Sequence, residues 1–359
     1  MFTKKTVKDI DVKSKIVLVR TDYNVPMKDG KITSDLRIKA SLPTLEYLKK
    51  EGARRIIIIS HLGRPEGQKN PEMSLKPAAD KLAELMPDAK VNFVDDVSGP
   101  DVEEAIEKAP EGGIIVLENL RFYPGEEKNS EDFAREIFES THADVFVQDG
   151  FAVVHRAHAS TDAITNCLPS VAGFLLEKEI SALSEVLNNP ERPLMLMLGG
   201  AKVDDKAPLI EVFKDKADAI CVGGKIAADG AVEKDSDKIY IAEDFDEDST
   251  GAKLDCGPLS THRFAETAKN SKTVLWNGLL GKAEDPAYAT SSTIFAKTLG
   301  ENPNITSIIC GGDTTGFCEN LITEYNDLKF TLLSTGGGAA LEYLSGNSLP
   351  GLDALENKD

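Results

Sequence analysis

Apolar residues in this chain gather into short unbroken runs separated by amphipathic stretches. In the first half the runs are IVLVR (16–20), RIIIIS (55–60), VNFV (91–94), GIIVLE (113–118) and DVFVQ (144–148). A continuous run of branched and aliphatic residues predicts a strand buried on both faces, as in a parallel sheet. Between the runs, spacings such as Leu75, Ala78, Leu82 and Leu85 predict helices that bury one side. The second half repeats the rhythm with LMLML (194–198), AICVG (219–223), KIYIA (238–242), TVLWN (273–277), SIICGG (307–312) and FTLLST (330–335). Alternating strand and helix signals predict an α/β fold with two doubly wound parallel-sheet domains. Between them, Leu176, Ile180, Leu183 and Leu187 predict a connecting helix closed by Asn188-Asn189-Pro190.

Composition narrows the function. At 359 residues, with 41% hydrophobic and 28% charged, the chain suits two globular domains. The MFTKKTVKDI start lacks the apolar stretch of a signal peptide, and no run approaches membrane-spanning length, so a cytoplasmic protein is expected. Five scattered cysteines without a CxxC pair read as reduced thiols. A net charge of −19 argues against nucleic-acid binding and requires locally concentrated positive charge for any anionic substrate. The arginines supply it, nearly all in the first half.

Ligands of open parallel sheets bind beyond the carboxyl ends of the strands. IVLVR is followed by Thr21-Asp22-Tyr23-Asn24-Val25-Pro26, a Lys28-Asp29-Gly30 turn and Arg37. RIIIIS leads into His61-Leu62-Gly63-Arg64-Pro65, GIIVLE into Asn119-Leu120-Arg121, and DVFVQ into Asp149 and then His155-Arg156-Ala157-His158. A surface salt bridge accounts for any one of Arg37, Arg64, Arg121 and Arg156. Four arginines in register predict a basic pocket for a phosphorylated carboxylate, with Asp22 and Asn24 placed for hydroxyls and His61 as a donor. His155 and His158 lack a third ligand nearby and are not expected to bind metal.

The second half carries other chemistry. LMLML ends at Gly199-Gly200, where the absence of Cβ atoms would admit a phosphate. A helix starting after Gly200 would put Lys202 and Lys206 on one face, beside free N–H groups. TVLWN ends in Asn277-Gly278, with Glu284 nearby for ribose hydroxyls. SIICGG ends in Asp313-Thr314, where a carboxylate suits Mg²⁺ held between phosphates, and FTLLST runs into Gly336-Gly337-Gly338, a second anion cradle. Neither GxxxxGK[ST] nor a GxGxxG after a strand occurs, which sets aside P-loop and dinucleotide-binding proteins. The expected ligands are a nucleotide with a metal in the second half and an acidic small molecule in the first.

In order, RTDYNVPMKDGKITSDLR, SHLGRP, LENLRFY, AHAST, LPSVAGFLLEKE, LGGAKVDDK, LWNG, GGDT and STGGGAALE closely resemble phosphoglycerate kinase. The resemblance implies Rossmann-like domains over 1–169 and 191–344, a hinge helix over 170–190, and a tail, 345–359, returning to the first domain around Leu349-Pro350-Gly351. It implies reversible phosphoryl transfer between MgATP and the carboxylate of 3-phosphoglycerate, giving ADP and 1,3-bisphosphoglycerate, in a monomeric enzyme of glycolysis and gluconeogenesis. The acid-binding positions fall on Asp22, Tyr23, Asn24, Arg37, His61, Leu62, Gly63, Arg64, Arg121 and Arg156. The nucleotide positions fall on Gly200, Ala201, Lys202, Lys206, Asn277, Glu284, Gly311, Gly312, Asp313 and Thr314, with Asp313 the implied Mg²⁺ ligand. Arg37, Lys202 and the Gly337 N–H are the implied catalytic groups, completed by hinge closure.

Several positions depart from the family pattern. Cys310 and Lys225 stand where glycine is usual, Gln148 for Asn, Ala152-Val153 for Gly-Thr, and Lys282-Ala283 for a Val-Phe pair. The chain also looks short by a helix after Gly224, with a trimmed loop before Asp255. These changes border the expected adenine pocket and bear on nucleoside preference. The competing readings are a non-catalytic descendant that binds nucleotide or a partner protein, and a two-domain kinase acting on another acid.

Overall fold

The computed structural model describes residues 2–202 and 206–358. They divide into two compact units, one of residues 1–180 and 348–359 and one of residues 181–347. The boundary falls inside the helix Phe174–Asn188.

The strands, in chain order, are β1 (Ile16–Arg20), β2 (Met27–Lys28), β3 (Lys31–Ile32), β4 (Arg55–Ile59), β5 (Val91–Val94), β6 (Gly113–Leu117), β7 (Val145–Gln148) and β8 (Ser170–Ala172) in the first unit. The second unit holds β9 (Leu194–Leu198), β10 (Ala219–Val222), β11 (Ile239–Ile241), β12 (Phe245–Glu247), β13 (Lys253–Cys256), β14 (Thr273–Asn277), β15 (Thr306–Cys310) and β16 (Leu332–Leu333). The first sheet runs β5-β6-β4-β1-β7-β8 and the second β11-β10-β9-β14-β15-β16, every neighbouring pair parallel. Central strands β4, β6, β9 and β14 are buried along their whole length, as continuous apolar runs require. The second sheet's order, counted from β9, is 3-2-1-4-5-6, so the winding reverses between β9 and β14.

Four local features differ from expectation. The connector expected over 170–190 begins with a strand, because Ser170-Val171-Ala172 is buried and pairs with β7, and the helix starts only at Phe174. The trimmed loop expected before Asp255 is the antiparallel hairpin β12-β13, on which the Lys253 ammonium lies 4.7 Å from the Phe245 ring centre. The run FTLLST contributes two strand residues. The helix expected directly after Gly200 begins at Ala207 with Lys206 at its N-cap, so Lys202 and Lys206 do not share a helix face, and residues 203–205 between them lie outside the described residues.

The C-terminal segment closes the first unit. The Lys5 N–H donates to the Glu356 carbonyl at 2.8 Å, and the Gly351 N–H to the Val154 carbonyl at 2.9 Å. No helix among the described residues is long and apolar enough to cross a membrane.

Candidate active site

At the carboxyl edge of the first sheet, Asp22 follows β1 and accepts from Arg37 Nη1 at 2.5 Å through Oδ2, while its Oδ1 accepts the Asn24 N–H at 3.2 Å. Asn24 Oδ1 accepts the Gly63 N–H at 2.9 Å, and Arg121 Nη1 donates to the Gly63 carbonyl at 2.8 Å. The Asn24 side-chain oxygen thus helps fix the loop that carries Arg64. Gly63 takes a φ of +65°, open to glycine without strain.

Arg64 and Arg156 are exposed, Arg37 is part-buried and Arg121 is buried. Glu127 Oε1 lies 3.2 Å from Arg121 Nε, and Arg156 Nε donates to His155 Nε2 at 3.1 Å. Tyr23 and Leu62 point inward. The Tyr23 hydroxyl meets Ser41 Oγ at 3.0 Å, and Asn119 Nδ2 donates to the Leu62 carbonyl at 2.7 Å, so both residues are buried supports of the rim. Burial pushes the Tyr23 phenol well above its ordinary range.

Beneath the rim lies a network that the sequence patterns did not single out. Arg20, the last residue of β1, is fully buried. Its Nε donates to Ser160 Oγ at 2.7 Å, Nη1 donates to the Thr21 carbonyl, and Nη2 lies 3.3 Å from His61 Nδ1. Guanidinium groups only donate, so His61 Nδ1 accepts and Nε2 carries the proton. Burial, then the charges of Arg20, Arg121 and Arg37, holds the His61 pKa well below the ordinary value. His61 is thus a neutral donor in a cationic pocket. Glu126 balances Arg20 from 3.8 Å and takes both the Ser160 hydroxyl, at 2.6 Å, and the Ser160 N–H, at 3.0 Å. The one available signal was an arginine terminating an apolar strand.

In the second unit a cleft of about 550 Å³ opens where the winding reverses between β9 and β14. Every expected nucleotide position, from Gly200, Ala201, Lys202 and Lys206 through Asn277 and Glu284 to Gly311, Gly312, Asp313 and Thr314, lines it, together with Gly337. Asp313 lies in the first turn of the helix Gly312–Tyr325, and Gly337 opens the helix Gly337–Leu344, so free backbone N–H groups of two helix starts meet the cleft. A Cβ on Gly312 would meet nothing within 4 Å, while one on Gly337 would lie 3.0 Å from the Gly311 Cα. Gly312 leaves open space and Gly337 permits close packing of the two loops. Gly199 does not line the cleft. Its missing Cβ makes room for the Gly278 and Leu279 carbonyls, and it is Gly200, at a φ of +82°, that faces the ligand space.

The buried Lys206 ammonium donates to Asn277 Oδ1, and buried Asn277 Nδ2 has no partner among the described residues. The Thr314 hydroxyl accepts the Gly278 N–H at 3.0 Å, which braces the loop after β14. Among the described residues no group of three His, Cys, Asp or Glu side chains is placed to hold a metal. Mg²⁺ ordinarily binds through one or two carboxylates plus substrate phosphates, a donor set that Asp313 in this cleft fits. Lys225, Lys253 and Lys282 also line the cleft; Lys225 and Lys282 were expected to border the adenine pocket, and Lys253 was not singled out.

A family model described as phosphoglycerate kinase matches residues 7–229 and 226–347. The phosphoglycerate kinase structure from Coxiella burnetii is 31% identical, with 98% of each chain covered and a TM-score of 0.78. That from Pyrococcus horikoshii OT3 is 27% identical, with 98% of each chain covered and a TM-score of 0.85.

Proposed function

The chain belongs to the phosphoglycerate kinase family, and on that premise we propose that it transfers a phosphoryl group reversibly between MgATP and the carboxylate of 3-phosphoglycerate, giving ADP and 1,3-bisphosphoglycerate. The supporting observation is the division of chemistry between the units: Arg37, Arg121 and neutral His61 around Asp22 at one sheet edge, and Lys202, Lys206 and Asp313 around helix starts at the other. The acid's phosphate and hydroxyl suit the first set, and nucleotide phosphates suit the second.

The acceptor carboxylate is ionised at neutral pH, so no general base is required and catalysis rests on positioning and charge. Asp22 fixes the Arg37 guanidinium, which together with Lys202 offsets charge spreading over the transferring phosphoryl oxygens. The Gly337 N–H adds a donor. Mg²⁺ on Asp313 would neutralise and orient the nucleotide phosphates. The reading makes the protein a monomeric cytoplasmic enzyme of glycolysis and gluconeogenesis, with no nucleic-acid or membrane partner.

A coupled assay with 3-phosphoglycerate, Mg²⁺ and nucleotide tests the reading. Turnover should need metal, and Arg37→Ala should cut kcat by about 10²- to 10³-fold while nucleotide affinity holds. Nucleotide binding without turnover would favour a non-catalytic descendant.

A further inference from the structure

The cleft has two chemically distinct ends. Gly200, Lys206, Gly311 to Thr314 and Gly337 form the end suited to phosphates. The remainder is bounded by Leu254 and Leu341, apolar surface for a flat ring, and by Lys225, Lys253 and Lys282. The three ammonium groups are not equivalent. Lys225 is engaged by Asp229 at 2.8 Å. Lys253 rests over Phe245. The Lys282 ammonium is exposed and makes no hydrogen bond or ion pair among the described residues, although its charge acts on Asp248. Its backbone N–H donates to the Leu254 carbonyl at 2.8 Å, which ties Lys282 beside the strand carrying Lys253, and both lysines line the cleft with Leu254.

We infer that this end selects 6-oxopurine nucleotides, with guanine or hypoxanthine bases, over adenine nucleotides, and that Lys282 and Lys253 are the discriminating donors. The inference rests on the kinase reading for the placement of phosphates and base. A lysine ammonium donates and never accepts. Guanine and hypoxanthine present O6 and N7 as adjacent acceptors, whereas adenine presents N7 beside an amino donor, which a second ammonium repels. Two lining carbonyls already accept one backbone hydrogen bond each, Leu254 from the Lys282 N–H and Leu279 from the Gly200 N–H at 2.7 Å. Of the two carboxylates lining the cleft among the described residues, Asp313 lies at the phosphate end and Glu284 suits the ribose hydroxyls. The single side-chain amide of the lining, Asn277, is bound to Lys206 at the phosphate end.

The test measures kcat/KM for GTP, ITP and ATP with 3-phosphoglycerate, and the Kd of GDP, IDP and ADP by calorimetry, on the full chain and on Lys282→Val, Lys253→Ala and the double variant. GTP and ITP should exceed ATP by about five-fold or more, the low end of discrimination by such contacts. The double variant should bring the ratio to one or below. Equal or better use of ATP by the unaltered protein overturns the inference. Preference for GTP with rejection of ITP does so too, because it assigns recognition to the 2-amino group. An unchanged ratio in the double variant removes the lysines from the account. Absence of turnover with all three nucleotides would instead sink the kinase reading, and the diphosphate affinities would then decide the base preference alone.

Discussion

Arg20 and Glu126 face each other across 3.8 Å with neither side chain exposed. Burial raises the Glu126 carboxyl pKa and lowers that of the Arg20 guanidinium, and each charge opposes the effect on the other. Removing one partner of such a pair leaves the other buried and uncompensated, at a cost of about 3–5 kcal/mol. Glu126→Ala should therefore lower unfolding stability by that amount in denaturant titrations. It should also raise KM for the acid, since Arg20 holds His61, while the Kd for nucleotide stays unchanged. Unaltered stability, or a loss confined to nucleotide affinity, would contradict the role assigned to the pair.

Asp149 gives an opposite kind of dependence. Its Oδ1 accepts the Leu175 N–H at 2.9 Å at the start of the helix Phe174–Asn188, and Oδ2 is buried with no hydrogen bond in the 3.5 Å range among the described residues. Burial pushes the carboxyl up to about 8. Between its unfolded value near 3.9 and about 8, the folded state binds the extra proton, so this group's contribution to stability falls as pH rises through that window. Asp149→Asn mimics the protonated form and should flatten that slope, gaining on the unaltered protein as pH rises from 5 to 8. Parallel stability profiles for the two proteins across that range would refute the assignment.

His61 behaves in the reverse sense, because its folded pKa lies well below 6.5. The stability it contributes is present above about pH 6.5 and is lost as pH falls, since the unfolded chain takes the proton first. In NMR spectra, the His61 ring should remain a neutral Nε2–H tautomer through pH 6.5, with no titration midpoint there. A midpoint near the ordinary value would place the ring in solvent, away from Arg20.

Much of this was legible in the sequence because buried parallel strands write themselves as unbroken apolar runs, and eleven of the sixteen strands among the described residues lie in such runs. What escaped lacked that signature. Ser170-Val171-Ala172 is too short and small, and the hairpin β12-β13 alternates polar with apolar residues around Phe245. The rim residues were legible because chemistry follows strand ends. Arg20 escaped because an arginine ending an apolar strand looks solvent-facing until the fold encloses it with Glu126, which comes from an acidic stretch that reads as surface. Lys253 escaped because its strand was expected to be a loop. Gly199 was seen as a glycine with a purpose, but the purpose is backbone packing, which no local pattern reveals.

Gly278 and Gly312 separate packing from ligand access. Gly278 has a φ of +97°, and a Cβ there would fall on the Gly199 carbonyl, a fixed backbone atom at the point where the winding reverses. Gly278→Ala should therefore cost about 1–3 kcal/mol by overpacking, with loss of nucleotide binding following from the displaced loops. Gly312 opens a helix, and a methyl group there meets nothing within 4 Å. Gly312→Ala should hold or slightly raise stability, by up to about 1 kcal/mol, while intruding on the space left for phosphates and weakening ADP. Melting with and without ADP distinguishes the two. The first variant should melt early under both conditions, and the second should melt normally and lose only the ligand-induced shift. If Gly312→Ala kept the full shift, the phosphates would have to lie elsewhere in the cleft.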